Sequence, residues 1–321
     1  MTNFVVGGTL PAGFAGARTI AYGAGLFVAL YGTIAATSPD GITWTERSLG
    51  LATGESWSRL TFANGRFVAV SSQQFSLSAS QTAITSTDGI NWTASTLPFF
   101  TTWSDVVFGA GLFLAVSSSS GRAATSPNGT TWTARTLVNR SWGNVVYGNG
   151  RFVITPNGTS QSNEYTQSTD GISFSFSGVN GIYLPVPGAW SGSVFANSKF
   201  VLVSNAGASN NGSSNLVSFD GISWSIGALP LSPGPGSYSW TDVTFGDGTY
   251  IAMASQDIAA SSADGLVWTP LTVPPSTLYQ DIAYGAGVFA TVSSNTNASA
   301  IYDPNGPSAF WQSFIGTREV L

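Results

Sequence analysis

The sequence predicts an all-β protein, a seven-bladed β-propeller with four antiparallel strands in each blade. Three observations predict this fold. A short motif recurs along the chain, a glycine-containing turn between two apolar runs precedes each copy, and aromatic residues keep the same register in every copy. Together they indicate one small β-sheet that is repeated, with neighbouring sheets packed face to face.

The recurring motif reads Ser-x-Asp-Gly-x-x-Trp and is first found at residues 38–44. Its copies are spaced by about 40 to 50 residues, the period of propeller blades. They end at Trp44, Trp92, Trp132, Phe174, Trp224, Trp268 and, in a degenerate copy, Trp311. One closed domain is therefore predicted, with blades at residues 17–50, 51–98, 99–138, 139–180, 181–230, 231–272 and 273–321, and residues 1–16 near the ring closure.

Each unit contains two predicted hairpins, which supply its four strands. In the first, two apolar runs flank a turn such as Asn64-Gly65, and this dipeptide favours a type I′ hairpin because both turn residues need positive φ. In the second, the Asp-Gly of the motif joins two short strands, for example 83–86 and 91–94. Blade 7 has a full set of predicted strands that ends at 310–314, so residues 4–6 are expected to add to its outer edge.

Aromatic residues mark the strands of every unit. One aromatic ends the first strand and another opens the second, as in Phe62 and Phe67. All eleven tryptophans either end a motif or begin a first strand, and the second set is Trp57, Trp103, Trp142, Trp190 and Trp240, with Tyr279 in the seventh unit. Because stacked blades must present large apolar side chains to one another, most of these rings are expected between blades.

The composition excludes several classes of function. Only 8% of the residues are charged, the net charge is −5, and the basic residues form no stripe, so nucleic acid is not an expected partner. The absence of Cys and His removes thiolate chemistry and the commonest general base and metal ligand. No cofactor and no metal are expected. The chain has no apolar run near the ~18 residues of a membrane span, so membrane insertion is not expected.

The repeated motif resembles the Asp-box, or bacterial neuraminidase repeat, of a β-propeller family that includes sialidases and many non-catalytic binding propellers. In that family one residue usually separates Asp from Gly. Here the two are adjacent, as in the Asp-Gly-x-x-Trp repeats of phage tail and bacterial surface proteins. Since a reaction needs one acid rather than a copy in every blade, we interpret the motif side chains as structural: Asp40, Asp88, Asn128, Asp170, Asp220, Asp264, Trp44, Trp92, Trp132, Trp224 and Trp268.

The resemblance does not carry sialidase residues onto this chain. Such catalysis needs an arginine cluster, a tyrosine nucleophile with a glutamate partner, and an aspartic acid, and Arg59 instead occupies a repeat position filled elsewhere by Asp105, Asn144, Asp242 and Asp281. No catalytic residue is assigned. The carboxylates at this position could hold a cation in the central channel, although a solvated polar lining is the favoured interpretation. A paired-carboxylate glycosidase stays open through Glu46, Glu55, Glu164 and Asp257.

The predicted ligand-binding face lies opposite the two hairpin turns, where the loops vary in length and are rich in Ser, Asn and Gly. Polar loops with aromatic platforms suit neutral sugars. The candidate ligand-binding residues are Trp57, Trp103, Trp142, Trp190, Trp240, Tyr279, Tyr165, Tyr183 and Tyr238. For the strand-opening rings two interpretations stand: burial between blades, which is favoured, or a partly exposed ring of aromatics.

Three hypotheses of function follow. The first is a non-enzymatic binding module of a phage virion, a tail or fibre component that recognises host surface glycan or another virion protein. The expected location is then the virion, assembled in the host cytoplasm, because the N-terminus lacks the features of a secretory signal. The second is a glycoside hydrolase or lyase acting on surface polysaccharide. The third is an architectural decoration protein, and a homo-oligomer within an assembly is left open.

Overall fold

The computed structural model describes residues 4–14, 16–156, 163–181, 183–204, 214–230, 238–255, 258–275 and 278–306. Within these ranges the chain forms 28 strands, a helix of four residues, and seven sheets of four antiparallel strands. The predicted seven-bladed propeller is confirmed. Among the described residues no helix has the length and apolarity needed to span a membrane.

The strands of the first three blades follow the N-terminal strand β1 (Val5–Thr9). Blade 1 contains β2 (Thr19–Gly23), β3 (Leu26–Tyr31), β4 (Ile34–Ser38) and β5 (Thr45–Ser48). Blade 2 contains β6 (Glu55–Ala63), β7 (Arg66–Gln74), β8 (Ser80–Ser86) and β9 (Thr93–Thr101). Blade 3 contains β10 (Trp103–Gly109), β11 (Leu112–Ser117), β12 (Arg122–Ser126) and β13 (Thr133–Thr136).

The remaining blades repeat this order. Blade 4 contains β14 (Trp142–Gly148), β15 (Arg151–Pro156), β16 (Thr166–Ser168) and β17 (Ser175–Phe176), followed by the helix α1 (Ser177–Asn180). Blade 5 contains β18 (Trp190–Ala196), β19 (Lys199–Ser204), β20 (Ser214–Ser218) and β21 (Ser225–Ala228). Blade 6 contains β22 (Trp240–Gly246), β23 (Thr249–Ala254), β24 (Ile258–Ser262) and β25 (Thr269–Thr272), and blade 7 contributes β26 (Tyr279–Gly285), β27 (Val288–Ser293) and β28 (Ala298–Tyr302).

The ring closes in blade 7, where a strand from the N-terminus pairs with a strand near the other end of the described chain. The sheet of blade 7 has the order β1-β28-β27-β26, with Val5 opposite Ile301, so the N-terminal strand is its fourth strand. The expectation that residues 4–6 add to the outer edge of blade 7 is confirmed. The strand β1 lies directly on β28 as the fourth strand, and the predicted strand at 310–314 lies outside the described residues. Phe4 stacks on Tyr302 with ring centroids 5.3 Å apart, which fastens the join.

The two turns of blade 2 have the geometry that their residues favour. In blade 2, Asn64 and Gly65 have φ of 49° and 70°, as a type I′ turn requires. In the motif turn, Asp88 Oδ1 accepts the backbone N–H groups of Ile90 and Asn91, each at 2.8 Å. Gly89 has φ of 75°, and a Cβ there would lie 2.8 Å from Val28 of blade 1. The motif is therefore a hairpin turn that also packs against the preceding blade.

The same turn recurs in the other five copies of the motif that are not degenerate. In each, the side-chain oxygen of the Asp or Asn accepts N–H groups two and three residues later, and this holds for Asp40, Asn128, Asp170, Asp220 and Asp264. The indole of Trp92 donates to the Gly89 carbonyl at 3.2 Å, and Trp44, Trp132 and Trp268 donate to the corresponding glycine.

The hydrophobic core lies between blades rather than within one layer. Each apolar cluster of the described residues joins two neighbouring blades: Val68 and Val70 of blade 2, for example, pack against Trp103 and Phe113 of blade 3. Another joins Val288 of blade 7 to blade 1 across the closure. Aromatics bury the most apolar area per residue, so the recurrent rings are the main source of blade-to-blade stability.

Candidate functional site

The tryptophans that open the first strands are buried. The exposed fraction is 3% for Trp57, 1% for Trp190 and 0% for Trp103, Trp142 and Trp240, and also 0% for Tyr279. Their rings pack in the inter-blade clusters, and the indoles of Trp57, Trp103 and Trp142 donate to backbone carbonyls. The interpretation of an exposed aromatic ring is corrected, because strand alternation turns these six side chains towards the adjoining blade.

The three candidate tyrosines differ from one another. Tyr165 is buried at 1% exposure in the cluster between blades 4 and 5. Tyr238 is half-buried and meets Trp240 edge-on, with centroids 6.0 Å apart. Tyr183 alone of the three is exposed, at 43%. No shared surface therefore brings the nine predicted ligand-binding residues together.

A pocket of about 350 Å³ opens where the central channel meets the loop face. Its lining includes Trp57, Trp103 and Trp190, three of the predicted ligand-binding residues, and the residue that follows the start of the first-strand block in each blade. That position holds Arg18, Ser58, Ser104, Gly143, Ser191, Thr241 and Gln280, one from each blade. The hydroxyl of Ser104 donates to the carbonyl of Trp142 in the next blade at 2.8 Å, and Ser58 and Ser191 make the same contact. The wall is polar because these hydroxyls join the blades at their inner edge.

One arginine and three aspartates form a cluster at the pocket, where Arg59, Asp105 and Asp281 belong to the lining and Asp242 completes the cluster. Arg59 Nε lies 3.3 Å from Asp105 Oδ1, and Arg59 Nη1 lies 3.2 Å from Oδ1 of both Asp242 and Asp281. The cation in this part of the channel is thus a guanidinium from blade 2. The two interpretations of these aspartates from the sequence, a solvated polar lining and a site for a bound cation, are corrected, because all three carboxylates pair with Arg59. Among the described residues, no group of His, Cys, Asp or Glu has the geometry of a metal site.

The three carboxylates also connect neighbouring blades. Asp105 Oδ2 accepts the N–H of Val145 in blade 4 at 2.8 Å. Asp281 Oδ2 accepts the N–H of Ile20 in blade 1 at 2.9 Å, across the ring closure. Asp242 Oδ2 accepts from Ile282 in blade 7 at 3.3 Å. Each aspartate therefore has one oxygen on the guanidinium and the other on a backbone amide, which satisfies buried groups that would otherwise be costly.

Burial and mutual repulsion set the protonation of this cluster. Burial raises the pKa of Asp105 to about 6, although Arg59 and two backbone N–H groups oppose the shift. Burial also raises the pKa of Asp242 well above its usual range, and the nearby Asp281 adds to the increase against the effect of Arg59. Burial works against the charge of Arg59, but the three carboxylates outweigh it and raise the pKa of the guanidinium, so Arg59 stays charged.

The carboxylates proposed for a glycosidase pair do not meet in a cleft. Glu55 is 2% exposed and accepts hydrogen bonds from the hydroxyls of Ser71, Ser80 and Thr82 at 2.7 to 2.9 Å. Glu164 lies 3.1 Å from Arg140. Glu46 is on β5, the outer strand of blade 1, and Asp257 lies outside the described residues.

The sequence did not predict that Arg59 joins the three aspartates. The only signal was that Arg59 occupies the repeat position that these aspartates fill in other blades.

Solved structures share this architecture over nearly the whole chain. A catalytically inactive histidine-to-alanine variant of virginiamycin B lyase from Staphylococcus aureus, solved with quinupristin, is similar at a TM-score of 0.76 and 12% identity, over 94% of this chain and 99% of that one. YCF48 bound to a D1 peptide gives a TM-score of 0.69 and 13% identity, over 96% and 98%. The Pan2 WD40 domain of Neurospora crassa gives 0.64 and 10%, over 91% and 90%.

At these identities the likeness shows the fold alone, a seven-bladed β-propeller. No family model and no curated protein matches the chain. Function must therefore be argued from the site itself.

Proposed function

We propose that the protein is a non-enzymatic β-propeller binding module that holds its ligand in the pocket at the mouth of the central channel. The observation that carries this proposal is that the three carboxylates of the Arg59 cluster are fully engaged in contacts within the protein. Each contacts Arg59 through one oxygen and a backbone amide through the other, so none is placed to act as acid, base or nucleophile on a substrate. The two commonest catalytic alternatives, His and Cys, do not occur in the chain.

The pocket wall favours a polyhydroxylated ligand. Serine and threonine hydroxyls, the amide of Gln280 and the exposed guanidinium of Arg18 surround an opening large enough for a sugar unit. We propose surface glycan as the ligand class, with another virion protein as the alternative partner, and a phage tail or fibre as the setting. The Asp-Gly-x-x-Trp turns have the same hydrogen bonds in different blades, which supports membership of the Asp-box propellers.

The enzymatic alternative has less support. The lyase structure that shares the fold is of a variant made inactive by replacing a histidine, and this chain contains no histidine. An architectural role would leave the polar pocket without a purpose.

Calorimetric titration with defined fragments of bacterial surface polysaccharide tests the proposal. We expect binding by the wild-type protein, at least about tenfold weaker binding by Arg18→Ala and Gln280→Ala, and unchanged binding by Arg47→Ala, which removes an arginine on the outer strand β5. The same mixtures are then assayed for new reducing ends and unsaturated sugars. Turnover that depends on Asp105 or Asp281 would contradict a non-enzymatic role.

A further inference from the structure

A second pocket, separate from the central one, lies on the loop face at the junction of blades 1 and 2. Its volume is about 310 Å³, and we call it the rim pocket. It is lined by Tyr31, Thr33, Ile34, Phe75 and three glycines. None of these lining residues carries a charge, in contrast to the arginines and aspartates of the central pocket. A ligand here would be uncharged.

Three aromatic rings run from the core of blade 1 to the rim pocket. Phe14 is fully buried, and its ring centroid lies 6.4 Å from that of Tyr31. Tyr31 is half-buried and lies 5.8 Å from Phe75, at an interplanar angle of 52°. Phe75 is 54% exposed. The outer ring is therefore held by a fixed neighbour while much of its surface faces water, which is an apolar surface left available for contact.

Glycines let the backbone lie directly against these rings, which fixes their positions. A Cβ at Gly54 would lie 2.5 Å from the ring of Phe75, and a Cβ at Gly32 would lie 3.4 Å from it. Gly16 similarly allows Tyr31 to approach the backbone, since a Cβ there would lie 2.4 Å from that ring. Any larger residue at Gly54 would push the Phe75 ring aside, so the pocket depends on the absence of side chains.

The loop that carries Phe75 is an elaboration of blade 2. β6, β7 and β9 each have nine residues, whereas no strand of another blade exceeds seven among the described residues. The loop is fastened at both ends: the Phe75 N–H donates to the Gly54 carbonyl at 2.9 Å, and the Ser80 hydroxyl donates to buried Glu55 at 2.9 Å. Glu55 thus acts as a positioning residue for a loop whose sequence does not repeat from blade to blade. Fixed aromatics on a non-repeating loop are typical of binding sites on repeat scaffolds.

We propose that the rim pocket binds the apolar face of a neutral sugar ring. Phe75 and Tyr31 supply the stacking surface, and the Thr33 hydroxyl supplies a hydrogen-bonding group for a sugar hydroxyl. The volume fits one monosaccharide unit and the lining offers no ionic partner. This inference rests on the proposed function in its ligand class, glycan, but places a second and independent subsite at the edge of the loop face.

Saturation-transfer NMR with the methyl glycosides of glucose, galactose and mannose tests the inference on the full chain. We expect transfer to at least one of these neutral sugars, at least about tenfold weaker binding by Phe75→Ala, and retained binding by Phe75→Trp, which keeps an aromatic surface. Phe100→Ala is the matched control, because Phe100 is also an exposed phenylalanine of blade 2, at 48%, and does not line the rim pocket. Thermal unfolding of each variant checks that the fold is retained.

The Arg18→Ala variant separates the two sites. Transfer lost in Phe75→Ala and kept in Arg18→Ala supports the rim site, even if binding in the central pocket fails. Transfer lost in Arg18→Ala and kept in Phe75→Ala supports the central pocket and overturns the rim inference. No transfer to any of the three sugars also overturns it, and would leave a protein segment as the ligand of the exposed rings.

Discussion

At the scale of single residues, one side chain per blade decides what the central channel contains. The position two residues after the start of the first-strand block holds Thr19, Arg59, Asp105, Asn144, Gly192, Asp242 and Asp281. The sequence shows that Arg59 departs from its acidic counterparts. Only the closed ring shows that it meets three of them, because Arg59 is 183 residues from Asp242 and 222 from Asp281 along the chain.

Removing the guanidinium should make the protein less stable, and more so at pH 7 than at pH 5. Arg59→Met leaves three buried carboxylates without their cation, for which we expect a loss of about 3 kcal/mol or more in the free energy of unfolding at pH 7. At pH 5 the loss should be smaller, because Asp105, whose pKa is already raised to about 6, is then largely protonated. Urea unfolding at the two pH values measures both.

Arg140→Met is the control for this change. Arg140 pairs with Glu164 near the surface, where the side chains are 48% and 25% exposed, respectively. We therefore expect a loss of under about 1 kcal/mol in the free energy of unfolding, with little difference between the two pH values. Equal losses for the Arg59 and Arg140 variants would contradict the role given to the central cluster.

At the scale of strands, the repeat predicts most elements and fails where the repeat itself is broken. The hairpins and the motif geometry follow largely from local residue preferences, since Asn-Gly favours a type I′ turn and the motif aspartate accepts hydrogen bonds from the backbone that follows it. The fourth strand of blade 7 could not be derived in this way. Nothing local in residues 5–9 states that they pair with residues near the other end of the chain.

The closure strand should be sensitive to a single added side chain. A Cβ at Gly8 would lie 1.6 Å from the carbonyl oxygen of Ile42 in blade 1, so Gly8→Val should force β1 away from β28. We expect a lowered thermal midpoint and faster proteolysis within the first ten residues or so, with a loss of about 3 kcal/mol. Val6→Ala, at a position on the same strand that is 66% exposed, should change the midpoint little. Similar midpoints for the two variants would contradict closure by β1.

At the scale of the whole molecule, two sets of carboxylates have opposite effects on stability as the pH changes. Backbone N–H groups of Ser173 and Ile172 lower the pKa of Asp170 to about 2, and the N–H and side chain of Asn91 lower that of Asp88. Groups with lowered pKa stabilise the folded state above about pH 4, the value for the unfolded chain, and lose that contribution as the pH falls. Asp105 and Asp242, whose pKa is raised by burial, stabilise the folded state below about pH 4 and lose that contribution as the pH rises, in the case of Asp105 through about pH 6.

The thermal midpoint should therefore be highest near about pH 4, where the lowered-pKa carboxylates are ionised and Asp105 is still protonated. Measured at constant ionic strength from acid to mildly alkaline pH, it should fall on both sides of this value. Asp88→Asn, which copies the natural Asn128 of blade 3, should make the acid side less steep and leave the other side unchanged. A midpoint that increases steadily up to about pH 8 would show that the central cluster does not titrate as its burial requires.

The sequence by itself determined the blade number, the strand order within a blade and the structural role of the motif residues. The strand order and the motif roles depend on local turns that each unit contains, and the blade number follows from how often the unit is repeated. The tertiary structure decided which rings are exposed, how the ring closes, what fills the channel, and where Tyr31 meets Phe75. The physical reason is that burial and ion pairing depend on contacts between blades, and residues far apart in sequence come together only when the ring has closed.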